Sequence, residues 1–218
     1  MSDVGQTMTD LWGAKRRTGR ARLPLVGGIC AALLLAGCST LGLEMAPRIY
    51  DLRAPQSIDV GGSRTSRQLL VAEPAAVRFY ATDRIVVRDS EATLAYFPGA
   101  SWSDALPDLL QARFAEALER TGRARAVGRP GQGLLIDVRL VPEIRAFEIE
   151  ISDGGQATAV IDIALKVMND ANGRILASQN FAATMPAASD SAEDGVEALN
   201  AAFDALSREM VKFVLDAV

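Results

Sequence analysis

Cys38 is the side chain in this sequence whose surroundings most clearly indicate a chemical reaction. A thiol is a nucleophile, and this one follows Leu35-Ala36-Gly37, where small residues are typical of a protease cleavage site. Upstream lie a basic cluster, Lys15 to Arg22, and an apolar run, Leu23 to Leu35. Segments in this order predict a cleaved secretory signal. The apolar run has 13 residues, fewer than the about 20 that a membrane-spanning helix needs.

The tetrapeptide that ends at Cys38 resembles the lipobox of bacterial lipoproteins. The resemblance implies a diacylglycerol thioether on Cys38, cleavage before it and acylation of the new amino terminus, and an anchor with more than one acyl chain is stable. Where sorting depends on the next residue, Ser39 implies the outer membrane. We therefore expect a lipid-anchored protein on the periplasmic face of the bacterial outer membrane. The alternatives are an ordinary cleaved signal before a chance cysteine, or a retained transmembrane anchor.

The remaining side chains offer little chemistry beyond carboxylates. The sequence has no histidine, so the commonest general base and zinc ligand are absent, and its other cysteine, Cys30, lies within the signal. Residues 1–37 hold five of the 23 basic and two of the 27 acidic residues, so residues 38–218 carry a net charge of −7, which argues against nucleic acid. We expect no enzyme, no metal and no cofactor other than the covalent lipid on Cys38. Glu148 and Glu150, two apart on a predicted strand, leave a carboxylate-only hydrolase as an alternative.

Two clusters are candidates for binding. Tyr96, Phe97 and Trp102 flank the break at Pro98-Gly99, and aromatic side chains are favoured at protein interfaces. The alternative is that they seal the following helix onto the sheet. A run of arginines is the candidate for acidic lipid head groups, with a solvated helix end as the alternative. These arginines are Arg120, Arg123, Arg125 and Arg129.

Two amphipathic helices and about six strands are predicted to position these groups. Apolar residues at spacings of three and four predict one helix capped by Ser103 and ending before Gly122. They predict a second helix that begins at the pair Asp190 and Glu193 and runs to the end of the sequence. Alternating residues predict strands, with a phase change that indicates a bulge near Pro142. The fold class is α/β (α+β), a two-layer sandwich of a mainly antiparallel or mixed sheet with both helices on one face.

The pattern divides the chain into three parts: a signal over residues 1–37, a lipidated tether over 38–48 and a single domain over 49–218. The tether after Cys38 reaches about 35 Å at most, at 3.3–3.6 Å per residue. The domain is therefore expected to stay close to its membrane.

The order of these segments resembles the ABC-type transport auxiliary lipoprotein component family, the PqiC-like lipoproteins. The pattern includes the tetrapeptide at Cys38, Tyr50-Asp51-Leu52, residues 82–88, Tyr96 with residues 102–106, residues 134–140 with Phe147, and the last helix. The segment 142–146 before Phe147 is longer than the family pattern leads us to expect.

The resemblance implies an accessory, non-enzymatic role. Such lipoproteins act with an ABC permease, an ATPase and a periplasmic protein carrying mammalian-cell-entry (MCE) domains, which together move lipids between the inner and outer membranes. This chain would then dock or anchor the periplasmic conduit, and a homo-oligomer, such as a ring, would suit that role. The alternative is a stand-alone envelope lipoprotein that regulates cell-wall synthesis or outer-membrane assembly.

Overall fold

The computed structural model describes residues 46–90, 92–133 and 135–218, which contain nine strands and two helices. The strands are β1 (Arg48–Tyr50), β2 (Gln68–Val71), β3 (Ala75–Ala76), β4 (Arg84–Ser90), β5 (Thr93–Trp102), β6 (Ala126–Gly128), β7 (Val138–Ile151), β8 (Ala157–Asn169) and β9 (Ile175–Pro186). The helices are α1 (Leu106–Arg120) and α2 (Ala192–Asp216). The mixed α+β fold agrees with the predicted class. The strands outnumber the six expected because β1, β2, β3 and β6 have only two to four residues each.

β7 is the central strand of one mixed sheet. One of its edges pairs antiparallel with β8, and β8 pairs antiparallel with β9. Its other edge pairs in parallel with β2, β3 and β4 in succession. Beyond β2 lies β6, and beyond β4 lie β5 and then β1. The long ladders are therefore antiparallel, as predicted, whereas most of the short strands pair in parallel.

The predicted bulge in β7 is present, but it lies at Arg145 rather than near Pro142. The register with β8 shifts between Ile144 and Ala146. Because of this extra residue, Ile144 and Phe147 are both buried on the same face although three positions separate them. The bulge thus produces the phase change seen in the sequence.

Pro142 is tolerated inside the central strand because of where its nitrogen points. The carbonyl of Leu140 accepts a hydrogen bond from the Ala72 N–H, so the backbone of Leu140 faces the edge of β7 that pairs with β2. Residue 142 faces the same edge, in the gap between the last residue paired with β2 and the first paired with β3. The missing N–H of Pro142 therefore coincides with this gap in the parallel ladder.

Both helices pack on one face of the sheet and share a single core with it. Phe114 of α1, Phe203 of α2 and Phe147 of β7 are among its fully buried side chains. α2 also covers the outer strands, where Phe213 meets Phe181 of β9 edge-on at 5.4 Å. We call the opposite face of the sheet the open face.

The two helices begin later than predicted. α1 begins at Leu106, and the Ser103 hydroxyl donates a hydrogen bond to Asp51 (3.0 Å) instead of capping the helix. α2 is capped by Ser191, whose hydroxyl accepts a hydrogen bond from the Asp194 N–H (3.2 Å). The end of α1 is as predicted, because Gly122 follows it with a φ of 60°, a conformation that glycine adopts readily.

Candidate functional site

Trp102 lies in the core of the domain. It is 3% exposed, and its ring meets Phe147 edge-on at 6.0 Å. Its backbone N–H donates to the Asp83 carbonyl (2.6 Å), which fixes the end of β5. The ring therefore seals the start of α1 onto the sheet and presents no surface to a partner. This corrects the expectation of partner contact for Trp102 in favour of the core alternative.

Glu148 is buried on the open face. Its neighbours in β7, Phe147 and Ile149, face the helices, so its carboxylate points the other way. It is 1% exposed. The Tyr80 hydroxyl donates to Oε2 (2.5 Å), and Arg88 donates to Oε1 through Nε (2.6 Å) and to Oε2 through Nη2 (3.2 Å). Both carboxylate oxygens are therefore held in a charge-assisted cluster.

Tyr80 and Arg88 both keep their protons at neutral pH. Burial, followed by the hydrogen bond to Glu148, raises the pKa of Tyr80 above its ordinary value of 10, so the hydroxyl keeps its proton and remains a donor. The hydrogen bond to Glu148 raises the pKa of Arg88, so the guanidinium stays charged. The Glu150 carboxylate also lies 3.8 Å from Arg88. This arrangement favours a structural role in which Glu148 fastens the turn of residues 77–83 to the sheet.

A cleft of about 490 Å³ opens beside this cluster, where β7 and β8 meet. Its lining includes Glu150, Ser152, Asp153 and Thr158. In the part of the chain that the structure describes, no three His, Cys, Asp or Glu side chains converge to hold a metal ion. The cleft therefore presents hydroxyls and carboxylates with the chemistry of a solvated surface.

The arginine run divides into two pairs. Arg120 and Arg123 donate hydrogen bonds to backbone carbonyls in the loop of residues 54–63, which they hold against the end of α1. Arg125 and Arg129 are exposed. Binding of lipid head groups stays a prediction for these two.

Tyr96 and Phe97 are half-buried. Phe97 packs against the core. Tyr96 lies on the open face, where Phe79 stacks on it with ring centroids 4.4 Å apart and the Arg84 guanidinium lies 4.1 Å from its ring centroid. The Tyr96 hydroxyl donates to the Phe79 carbonyl (3.3 Å). Partner contact by these two residues stays a prediction.

β9 forms a long free edge of the sheet that the sequence reasoning missed. Among the described strands it pairs only with β8. Residues 175–189 contain no charged side chain, and they form the longest uncharged run from residue 46 onward. This run is the signal in the sequence that indicates the edge strand. Proteins usually protect an exposed edge with charges, prolines or bulges. In β9, the bulge near Leu176 protects only one end of the strand, and Pro186 protects only the other.

The alternation of hydrogen bonds shows which backbone groups of β9 point outward. The Ala187 N–H donates to the Ala157 carbonyl (3.0 Å), so every second residue before Ala187 also bonds to β8. The residues between them direct their backbone groups away from the sheet. These are Ser178, Asn180, Ala182, Thr184 and Pro186. Their small or polar side chains leave room for another strand to approach.

Replacing Trp102 with alanine tests its place in the core. Trp102→Ala should lower the free energy of unfolding by about 3–5 kcal/mol, as expected for removing a buried large aromatic side chain. Chemical denaturation of the purified chain, followed by circular dichroism, measures this loss. Phe97→Ala is the matched control and should have a smaller effect because Phe97 is only half-buried. Unchanged stability in Trp102→Ala would contradict the core role.

The Tyr80–Glu148 hydrogen bond predicts a pH dependence. The pKa of Tyr80 is raised in the folded state, so the unfolded chain loses this proton first and stability falls as the pH rises above about 10. Tyr80→Phe should reduce stability by about 1–3 kcal/mol at neutral pH because Glu148 loses a donor, and should flatten the fall above pH 10. Denaturation curves from pH 8 to pH 11 measure both effects, with Tyr50→Phe as the control. Equal slopes for wild type and Tyr80→Phe would refute this assignment.

None of the helices in the described residues is long and apolar enough to cross a membrane. Cys38, the predicted site of lipidation, lies outside the described residues. The predicted anchor therefore rests on the sequence.

Comparison with known proteins identifies relatives of the whole domain. A protein of Bradyrhizobium diazoefficiens, itself uncharacterised, is 29% identical over 210 residues, which cover 94% of this chain and 53% of the relative. The chain thus spans about half the length of that relative. A crystal structure of a Xanthomonas campestris protein assigned to family DUF330 is 27% identical, with a TM-score of 0.73 over 78% of this chain and 95% of that one. A crystal structure of another uncharacterised protein, 15% identical with a TM-score of 0.59 over 78% of this chain and 99% of that one, shares the fold.

The family described as an ABC-type transport auxiliary lipoprotein component matches residues 50–211, which include all but the ends of the described domain. The description of this family names an auxiliary component of an ABC-type transport system. The chain therefore belongs to the ABC-type transport auxiliary lipoprotein component family.

Proposed function

We propose that this chain is a non-enzymatic accessory subunit of an ABC/MCE-type system that transports lipids between the inner and outer membranes. In this proposal a lipid on Cys38 holds the chain on the periplasmic face of the outer membrane. The domain docks a periplasmic MCE-domain protein and, through it, the ABC permease and ATPase. Family membership supports the association with an ABC-type transport system, and the identity of the partners is our inference.

The free edge of β9 is the observation that favours a docking role. An extended segment of a partner can add to an exposed sheet edge, where backbone hydrogen bonds give affinity and side chains give specificity. Residues 178–184 offer outward N–H and C=O groups without a charged side chain that would oppose a second strand. A partner strand at this edge would continue the sheet.

The free edge and β1, the first described strand, lie at opposite ends of the sheet. Strands follow each other in the order β1, β5, β4, β7, β8 and β9. Five spacings of about 4.8 Å separate β1 from β9 by about 24 Å. The tether leads into β1, so β9 is the edge that a partner can reach while the chain stays anchored.

In-cell crosslinking tests the choice of partner. A photo-crosslinking residue at Asn180, on the free edge, should capture an MCE-domain protein that mass spectrometry identifies. The same residue at exposed Glu119 on α1 is the matched control and should capture it much less. Capture of cell-wall synthases or outer-membrane assembly factors at Asn180 would instead favour the stand-alone envelope lipoprotein. Capture of only a second copy of this chain would contradict docking of an MCE protein through β9.

Substitutions at Ala182 test the mode of docking. Ala182→Pro removes an outward N–H and Ala182→Lys adds a charge, while neither removes a hydrogen bond to β8. Ala182→Pro should weaken co-purification of the partner by about fivefold, since one lost hydrogen bond is worth about 1 kcal/mol. Ala182→Lys should also weaken it, because a charged side chain on an edge strand opposes the approach of a second strand. Ala201→Lys, on an exposed position of α2, is the control for the added charge. Full partner recovery with both Ala182 variants would show that docking uses another surface.

A further inference from the structure

We propose that a patch beside the start of β1 rests on the bilayer that holds the lipid anchor and thereby orients the domain. The patch, called the root patch, consists of Ile49, Val77, Arg78, Arg84 and Tyr96. The inference rests on the lipid anchor in the proposed function, and it is independent of which transport partner the domain docks.

The root patch lies where the chain from the anchor enters the domain. Eight residues lead from Cys38 to Ala46, the first described residue, and they span about 26–29 Å when fully extended. Ile49 follows three residues later, in β1. This edge of the domain is therefore held within reach of the bilayer surface.

The sheet register brings Ile49 and Arg84 together, and ring contacts place Tyr96 and the turn of residues 77–83 beside them. Ile49, Ser101 and Arg84 lie in one row across β1, β5 and β4, so their side chains project to the same face. Arg84 covers the ring of Tyr96, and Phe79 stacks on that ring. Phe79 belongs to the turn of residues 77–83, so the turn that carries the other two members of the patch lies beside this row.

The side chains of the patch have the chemistry of a membrane interface. Ile49 is 70% exposed and Val77 is 62% exposed, although both are large apolar residues. Arg78 and Arg84 are exposed and make no ion pair with any described carboxylate. Apolar side chains enter the boundary between head groups and acyl chains, tyrosine is enriched at that depth, and guanidinium groups bind phosphates.

The charge distribution of the domain favours an anionic bilayer surface as the binding partner of the root patch. Residues 38–218 carry a net charge of −7, so most of the domain surface is repelled by anionic lipids. Two arginines without a carboxylate partner make the root patch a favourable place of approach. The adjacent Asp83 accepts a hydrogen bond from the Thr82 hydroxyl (3.2 Å).

Lipid-quenching measurements on the anchored chain test this contact. The full lipidated chain is reconstituted in vesicles of roughly three parts phosphatidylethanolamine to one part phosphatidylglycerol, to mimic an anionic surface. An environment-sensitive fluorophore is attached to Val77→Cys or, as the matched control, to Ile175→Cys, which lies on β9 at the far end of the sheet. Lipidation occupies Cys38, so the introduced cysteine is the free thiol. Quenching by lipids labelled in the acyl chain should occur at residue 77 and be weak at residue 175.

Charge reversal tests the role of the arginines. Replacing both arginines together, Arg78→Glu and Arg84→Glu, should reduce quenching at residue 77 by at least about twofold because the attraction to anionic head groups becomes repulsion. Arg174→Glu, on the exposed β8–β9 hairpin, is the control and should leave it unchanged. Vesicles made of phosphatidylcholine alone should give weaker quenching than the anionic vesicles.

Three results would overturn the proposal. Equal quenching at residues 77 and 175 would show that the domain has no preferred orientation. Quenching at residue 77 that changes neither with charge reversal nor with the charge of the lipids would exclude the arginine–phosphate contact. Shielding of residue 77 that appears only after a partner protein is added would make the patch a protein interface.

The anchor and the patch can be tested separately. If wild-type chain does not float with the vesicles, the lipid anchor in the proposed function is wrong. With a fluorescent amino acid in place of the thiol label at residues 77 and 175, the Cys38 thiol can be coupled to a maleimide-bearing lipid, which restores attachment at the same residue. The same quenching comparison at residues 77 and 175 then decides on the patch alone.

Discussion

The structure depends on β7, a strand that pairs with other strands along both of its edges while only one of its faces carries the apolar core. Its bulge at Arg145 makes this possible, because a shift of one residue moves every side chain of a strand to the other face. Without the extra residue, Phe147 and Ile149 could not share the helix-facing side with Ile144, and Glu148 would point into the apolar core. The bulge therefore keeps the core and the buried carboxylate on opposite faces of one continuous strand.

The features that can be predicted from the sequence are those that produce a local periodicity of apolar residues. The opposite phases of residues 134–140 and 147–151 predict the bulge. Its predicted position near Pro142 is wrong because β7 tolerates this proline, whose nitrogen meets a gap between the partner strands. Ser103 cannot be assigned from the sequence because its hydroxyl binds Asp51, which is distant along the chain. Of the four short strands, only β3 escapes prediction, because two residues show no alternation. The pattern around Trp102 suits a core residue as well as an interface residue, and only the fold decides. The charge-free run of β9, by contrast, can be seen directly in the sequence.

The cluster of Tyr80, Arg88 and Glu148 connects the core of the sheet to its open face. Burying a carboxylate is unfavourable unless both oxygens are paired, and three hydrogen bonds from two side chains meet this requirement. The position of Tyr80 is thereby fixed. The preceding residue, Phe79, stacks on Tyr96, so the same cluster also sets the turn that carries Val77 and Arg78. The polar cluster thus stabilises the turn that belongs to the root patch.

A continuous sheet between the tethered edge and the free edge also determines how a partner would meet the membrane. Adjacent strands rotate by about 20–25°, so five steps from β1 to β9 accumulate a rotation of about 100–125°. A strand added to β9 would therefore run across the direction of β1 rather than along it. If the root patch holds β1 against the bilayer, the rigid hydrogen-bonded ladder passes that orientation to the partner. In the proposed function, the sheet would thereby hold a partner at a fixed distance and angle from the membrane, a contribution that requires no catalytic group.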